Sequence, residues 1–211
     1  LPLILKGPTG CGKSRYVEYC ARNTESELVT VSCNEDTSAS DLIGRYIFKN
    51  DDVHWIDGPV AKAVRSGAIL YLDEITEARE DVTVLIHSLT DHRRTLFIDK
   101  TNETLKAPNS FQLIASYNPG YQRGFKKLKP STLQRFVSLD FTYPSIEIEE
   151  EIVLKESGLE LKKVKKLISF SRHIRTLGEL NLSESVSTRL IINTAKLIES
   201  GVEERKAVVA G

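Results

Sequence analysis

The chain opens on a short apolar run, Leu3-Ile4-Leu5, and passes at once into a glycine-rich stretch from Gly7 to Gly12. An apolar run that ends at turn residues predicts a strand. Residues 13–23 predict a helix, and Leu28-Val29-Thr30-Val31 predicts a second strand. Residues 37–43 predict a short helix with Asp36 or Thr37 as N-cap, because a short polar side chain there accepts from unpaired N–H groups of the first turn. Tyr46-Ile47-Phe48 and the group Val53, Trp55, Ile56 flank the polar stretch Lys49-Asn50-Asp51-Asp52, a pattern for two short strands about a turn. Pro59 suits the first turn of a helix reaching Arg65, where a missing N–H costs nothing.

Ala68-Ile69-Leu70-Tyr71-Leu72 is continuously apolar, as a strand covered on both faces of a parallel sheet should be. Residues 81–91 place Val84, Leu85, Ser88 and Leu89 on one helical face. Residues 95–98 and 103–105 predict a hairpin around Lys100-Thr101-Asn102, and residues 111–115 and 136–141 predict two more core strands. After Pro144 the strand pattern stops, and helical patterns cover about 147–157, 161–177 and 185–200. Strands alternating with helices, then helices alone, predict an α/β domain over residues 1–143 with a parallel five-stranded core sheet flanked by helices. A small, incomplete helical subdomain follows over residues 144–211, with Tyr143-Pro144-Ser145 as the boundary.

The 211 residues are 40% hydrophobic and 27% charged, which permits a packed core and argues against wholesale disorder. Lys and Arg number 29 and so do Asp and Glu, a balance that disfavours a globally basic nucleic-acid binder. The basic runs Lys126-Lys127-Leu128-Lys129 and Lys162-Lys163-Val164-Lys165-Lys166 lack the interleaved aromatics that base stacking uses. No apolar run approaches the roughly 18 residues of a membrane span. The three cysteines, Cys11, Cys20 and Cys33, are odd in number and lack the close double spacing of a zinc site. Free thiols in a reducing cytoplasm are the expectation. Met is absent, position 1 included, so the chain is expected to be a fragment.

Gly7-Pro8-Thr9-Gly10-Cys11-Gly12-Lys13-Ser14 fits G-x-x-x-x-G-K-[ST], after a strand and before a helix. Glycines let the backbone curl so that several N–H groups face one phosphate, and the helix start adds its positive dipole end. Lys13 is expected to bridge the β- and γ-phosphates of ATP, and the Ser14 hydroxyl to ligate Mg²⁺. Asp73 and Glu74 close a buried strand and fall at its carboxyl end, where open α/β sheets bind ligands. Asp73 would hold the Mg²⁺ through water, and Glu74 would polarise an attacking water. Asn118, after the fourth strand, would lie between the ends of the first and third strands and orient that water. Arg135 and Arg189 are candidates to reach the γ-phosphate, the first from a neighbouring subunit and the second from the helical region. The bland alternatives are an acidic helix cap for Asp73-Glu74, a turn-forming Asn before Pro119, and two surface arginines. His54 and Trp55 read as a gripping surface or as hairpin packing. His87 and His92 read as structural or surface residues, since no third metal ligand is evident, and His92-Arg93-Arg94 as a contact to a neighbouring nucleotide or partner protein.

In this order, and with a helical tail, these elements resemble those of AAA+ ATPases: Walker A, Walker B, sensor 1, arginine finger and sensor 2. The closer resemblance is to the MoxR branch, and within it to the CbbQ/NirQ/NorQ group. Residues 5–14, 33–42 (Cys33-Asn34-Glu35-Asp36-Thr37-Ser38-Ala39-Ser40-Asp41-Leu42), 89–96 and 116–122 carry it. The resemblance implies a ring, usually hexameric, that hydrolyses ATP bound between subunits. It implies a partner with a von Willebrand factor A domain, and a client enzyme of the Rubisco or nitric oxide reductase type. It also implies that residues 45–57 form an insert facing the ring pore and residues 93–108 a hairpin before sensor 1. Relatives often carry a second basic residue near position 133. Leu133 leaves Arg135 as the near candidate for the finger, with Arg123 and Lys126 as alternatives. A small-molecule kinase, a DNA-stimulated motor and a non-hydrolysing scaffold are the competing classes. Adjacent Asp73-Glu74 fits water activation better than transfer to an acceptor.

Overall fold

A computed structural model describes residues 1–49, 51–119, 128–178 and 186–210. The chain forms two compact units. The first comprises Leu1–Lys6 and Gly12–Asp140, and the second comprises Gly7–Cys11 and Phe141–Gly211.

In the first unit, β1 (Leu3–Lys6), β2 (Leu28–Ser32), β5 (Ile69–Asp73), β8 (Gln112–Tyr117) and β9 (Val137–Asp140) make one sheet in the order β2-β5-β8-β1-β9. Every pairing in it is parallel, as the apolar runs predict. The register sets Leu72 beside Ala115 and Leu5 beside Ser116, so the carboxyl ends of β5, β8 and β1 finish side by side. β5 is buried from Ile69 to Leu72 and emerges only at Asp73. Helices α1 (Lys13–Asn23), α2 (Ala39–Ile43), α3 (Pro59–Ser66), α4 (Glu80–Thr90) and the single turn α5 (Pro130–Leu133) accompany the sheet. Val60 and Val64 of α3, Val82 and Ile86 of α4, and Leu70 and Leu72 of β5 share one core. Burying each such side chain is worth about 1.5–3 kcal/mol.

Two antiparallel hairpins stand outside the sheet: β3 (Gly44–Lys49) with β4 (Asp52–Asp57), and β6 (Thr95–Ile98) with β7 (Glu103–Lys106). Arg65, in the last turn of α3, holds both. Its Nε donates to Asp57 at 2.6 Å, and its two terminal nitrogens form a fork on the Glu103 carboxylate. Tyr46 of β3 adds a hydroxyl bond of 2.8 Å to the Lys100 carbonyl, in the turn between β6 and β7. Trp55 is half-buried, packs against the core, meets the Tyr46 ring edge-on at 5.1 Å and donates to Asp57 at 2.7 Å.

The second unit contains α6 (Ile146–Ser157), α7 (Leu161–Gly178), α8 (Thr188–Glu199) and α9 (Glu204–Ala210). Val153, Leu159, Val164, Ile168, Ile191, Ala195 and Ala207 form its core. Ser145 and Ser187 cap α6 and α8 through N–H bonds from Ile148 and Leu190.

Three details differ from the sequence expectation. The cap of α2 is Ser38, whose hydroxyl accepts from the Asp41 N–H at 3.3 Å. Asp36 and Thr37 lie instead in a turn, where Thr37 bonds Asn34. β8 runs on through Ser116 to Tyr117. α9 is a further helix, unforeseen because its seven residues span under two turns and carry almost no periodic signal. No described helix is long and apolar enough to cross a membrane.

Candidate active site

β5 delivers two acidic residues at its end, and the neighbouring elements meet them with hydroxyls. Tyr71 and Asp73 are two apart on the strand and share a face. The Tyr71 hydroxyl donates to Asp73 Oδ1 at 2.7 Å. Ser14, in the first turn of α1, donates to Asp73 Oδ2 at 3.3 Å and lies 3.3 Å from the Tyr71 hydroxyl. Ser116 of β8 donates to Asp73 Oδ1 at 2.5 Å. The same Ser116 oxygen accepts the Glu74 N–H at 3.1 Å. One hydroxyl therefore fixes the side chain of one acid and the backbone of the next.

Glu74 is exposed and has φ of 54°, in the left-handed region that a residue with a Cβ enters at a cost of about 1–3 kcal/mol. Its strained backbone turns the chain sharply out of the sheet.

Burial pushes the Tyr71 phenol well above its ordinary value, so it stays a donor. Cys33, whose N–H bonds the Asp73 carbonyl at 2.9 Å, has its thiol pushed up to about 12 by burial and then by the Asp73 and Glu74 charges. Mg²⁺ prefers hard oxygen ligands, and it fits this donor set of a serine hydroxyl and a carboxylate within 3.3 Å of each other.

Lys13 opens α1 and is buried. No side chain caps α1 and its first turn holds no acid, which suits the positive dipole end to an anion. Gly12 precedes it at φ of 102°, and no described residue lies within 4 Å of where its Cβ would be. Backbone conformation, not space, requires glycine there. In the second unit, Gly10 has φ of 71°, and a Cβ on it would stand 2.8 Å from Ser187 Oγ and 3.2 Å from Arg189 Cβ.

Ser14, Asp73 and Glu74 are thus brought together with Tyr71 and Ser116. Asn118 follows β8 by one residue, two beyond Ser116. Arg189, exposed at the start of α8, stands beside Gly10 of the phosphate loop. Arg135 lies in the turn after α5, near α4, where it and Lys129 add to burial in holding the His87 pKa below its usual value. His87 Nε2 is 3.0 Å from the Thr132 hydroxyl, and Arg135 Nε is buried with no hydrogen-bond partner among the described residues. Among the described residues, no hydrogen bond of the Asp73 cluster reaches Arg135. Arg123 and Lys126 fall outside the described residues. Sequence reading missed Tyr71 and Ser116 as site residues. Their period-two spacing from Asp73 and Asn118 was the available signal.

A family profile described as AAA domain (dynein-related subfamily) matches residues 2–136. A second, CbbQ/NirQ/NorQ C-terminal, matches residues 149–211. Protein CbbQ of Hydrogenophilus thermoluteolus is 51% identical over 96% of this chain and 76% of its own length. The denitrification regulatory protein NirQ of Pseudomonas aeruginosa is 50% identical over 98% of this chain and 80% of its own. NorQ of Paracoccus denitrificans is 51% identical over 100% of this chain and 78% of its own. A crystal structure of a candidate ATPase from Cytophaga hutchinsonii superposes with a TM-score of 0.60 at 20% identity, over 94% of this chain and 69% of that one, and shares the fold. Together these define a P-loop ATPase domain of the AAA type with a helical C-terminal region. More narrowly, the chain belongs to the CbbQ/NirQ/NorQ family.

Proposed function

We propose that the protein hydrolyses ATP to ADP and phosphate and uses the cycle to remodel a client enzyme. The observation that carries this reading is the hydroxyl-lined Asp73-Glu74 pair opposite Ser14. Backbone N–H groups of residues 7–13 and the start of α1 grip the phosphates, and Lys13 bridges the β- and γ-phosphates. Held by Ser14 and Asp73, Mg²⁺ would supply neutralising charge to the phosphate oxygens. Glu74 polarises the attacking water and Asn118 orients it for in-line attack. Arg135 of the next subunit neutralises charge growing on the γ-phosphate, an effect of about 10³–10⁵ in rate for such arginines. Arg189 reads the γ-phosphate from the helical region.

A finger supplied in trans requires head-to-tail assembly, which closes into a ring; six subunits is the number the family resemblance implies. The same resemblance supplies the remaining partners: a von Willebrand factor A domain protein and a client of the Rubisco or nitric oxide reductase type, in the cytoplasm. Residues 45–57 then face the pore.

The test is a set of three variants. Lys13→Ala is expected to lose ATP binding in calorimetry. Glu74→Gln is expected to bind ATP yet release phosphate at least about 100-fold more slowly. Arg135→Ala is expected to bind but not turn over, and to regain activity when mixed with Lys13→Ala subunits. Normal phosphate release by Glu74→Gln would overturn the assignment. Release that depended on an added acceptor would point to a kinase instead.

A further inference from the structure

The second unit holds a buried charge pair that the proposed chemistry does not use. Glu149 of α6 is 0% exposed. Arg175 of α7 donates to both its oxygens, at 2.8 and 2.9 Å, and the Thr188 hydroxyl donates to Oε1 at 2.5 Å. Arg172, one helical turn before Arg175, stands 3.7 Å from the same carboxylate and donates to the Pro144 carbonyl at 2.7 Å.

Arg175 does more than balance the charge. Its Nε donates to the Val186 carbonyl at 2.6 Å, and its guanidinium lies 4.0 Å over the Tyr143 ring. The Tyr143 hydroxyl in turn donates to the Thr9 carbonyl, in the phosphate loop, at 3.2 Å. Val186 and Thr188 flank Ser187, the N-cap of α8, and Arg189 comes next. Arg175 Nε grips the backbone just before the cap, and Glu149, held by the Arg175 fork, grips the side chain just after it. At the other end, Gly10 of the loop leaves no room for a Cβ beside Ser187 and Arg189.

Apolar packing already joins these helices, through Val153, Ile168 and Ile191. A buried ion pair adds little net cohesion over well-packed apolar residues, but its bonds have direction. Here the directed bonds converge on the two residues that flank the cap, and on the loop that faces them.

We propose that Glu149, Arg175 and Tyr143 are positioning residues for Arg189, fixing the first turn of α8 against the phosphate loop so that this arginine is presented at one height along it. The inference rests on the proposed role of Arg189 at the γ-phosphate.

A double-mutant cycle in the full, assembled chain tests it. Arg175→Lys keeps the charge and loses the fork. It is expected to lower kcat about ten- to a hundredfold, the cost of a small misplacement at a reacting centre, while circular dichroism keeps its helical signal. Combined with Arg189→Ala, it should be no worse than Arg189→Ala alone, both in kcat and in affinity for a fluorescent ATP analogue. Multiplicative losses, with Arg189→Ala itself impaired, would overturn the positioning role and leave the reading of Arg189 standing. An Arg189→Ala protein with full turnover and full affinity would overturn both. Should Arg175→Lys not fold, Thr188→Val removes a single donor and enters the same cycle. Thr188→Ser, which keeps the donor, is expected to behave as the native chain, and failure of that rescue would count against the proposal.

Discussion

Asp73 and Glu149 are both carboxylates met by several donors, and the donors differ in kind. Asp73 sits half-buried at the end of a strand and receives hydroxyls from Ser14, Tyr71 and Ser116. Glu149 is wholly buried and receives the guanidinium of Arg175 as well as a hydroxyl. Hydroxyls hold a carboxylate in place without cancelling its charge. A guanidinium cancels it. The first arrangement leaves an oriented anion ready for a cation, and the anion's charge adds to burial in raising the Cys33 thiol. The second leaves a charge-paired, directed joint. The same functional group is left charged in one unit and paired in the other because of what surrounds it.

The contrast can be broken most forcefully at Glu149. Replacing it by Ala strands a buried guanidinium, and the expected loss is about 3–5 kcal/mol, read from denaturant unfolding. Removing a single hydroxyl bond at Asp73 is milder. Tyr71→Phe or Ser116→Ala should each cost about 1.5–3 kcal/mol, the range for a bond to a charged group. Each should also raise the Mg²⁺ concentration needed for tight ATP binding, measured by titrating the metal at fixed nucleotide. Asp73→Asn removes an uncancelled charge, so the stability of the nucleotide-free protein should hold or rise by up to about 1 kcal/mol. Its melting temperature should then no longer respond to Mg²⁺ with ATP. A large destabilisation by Asp73→Asn would erase the distinction between the two carboxylates.

The smallest effect is a pH dependence. The Cys33 thiol is raised in the folded protein from 9.0 to about 12. Between those values the native state keeps a proton that the unfolded chain has released. This contribution is therefore complete below about pH 9 and declines as pH rises towards 12. Unfolding at pH 8 and pH 10 should show a decline that Cys33→Ala reduces.

The phosphate loop and the acidic pair were legible in the sequence because their chemistry is local. Residues 7–14 are contiguous, and Asp73-Glu74 directly ends an apolar run. The five strands were legible as short apolar or alternating runs, clearest in β5 and β8, which are covered on both faces. Tyr71 and Ser116 were hidden inside such runs, where a hydroxyl on a strand reads as core or filler until the register is known. Glu149 was illegible because its partners lie 26 and 39 residues away, on two other helices. In a chain rich in Glu, nothing marks it from its exposed neighbours Glu147 and Glu151. Arg189 was legible as a residue type near a helix start, but not its closeness to Gly10, which only the fold brings about.

The grip of Arg65 on both hairpins has a mechanical consequence. Asp57 ends one hairpin and Glu103 begins the returning strand of the other, and a single side chain ties both to the end of α3. A tug on the tip of either hairpin is shared with its twin and delivered to a helix rooted in the core. The pair acts as one bracket with two prongs, and whatever leans on one prong loads the sheet through the other as well.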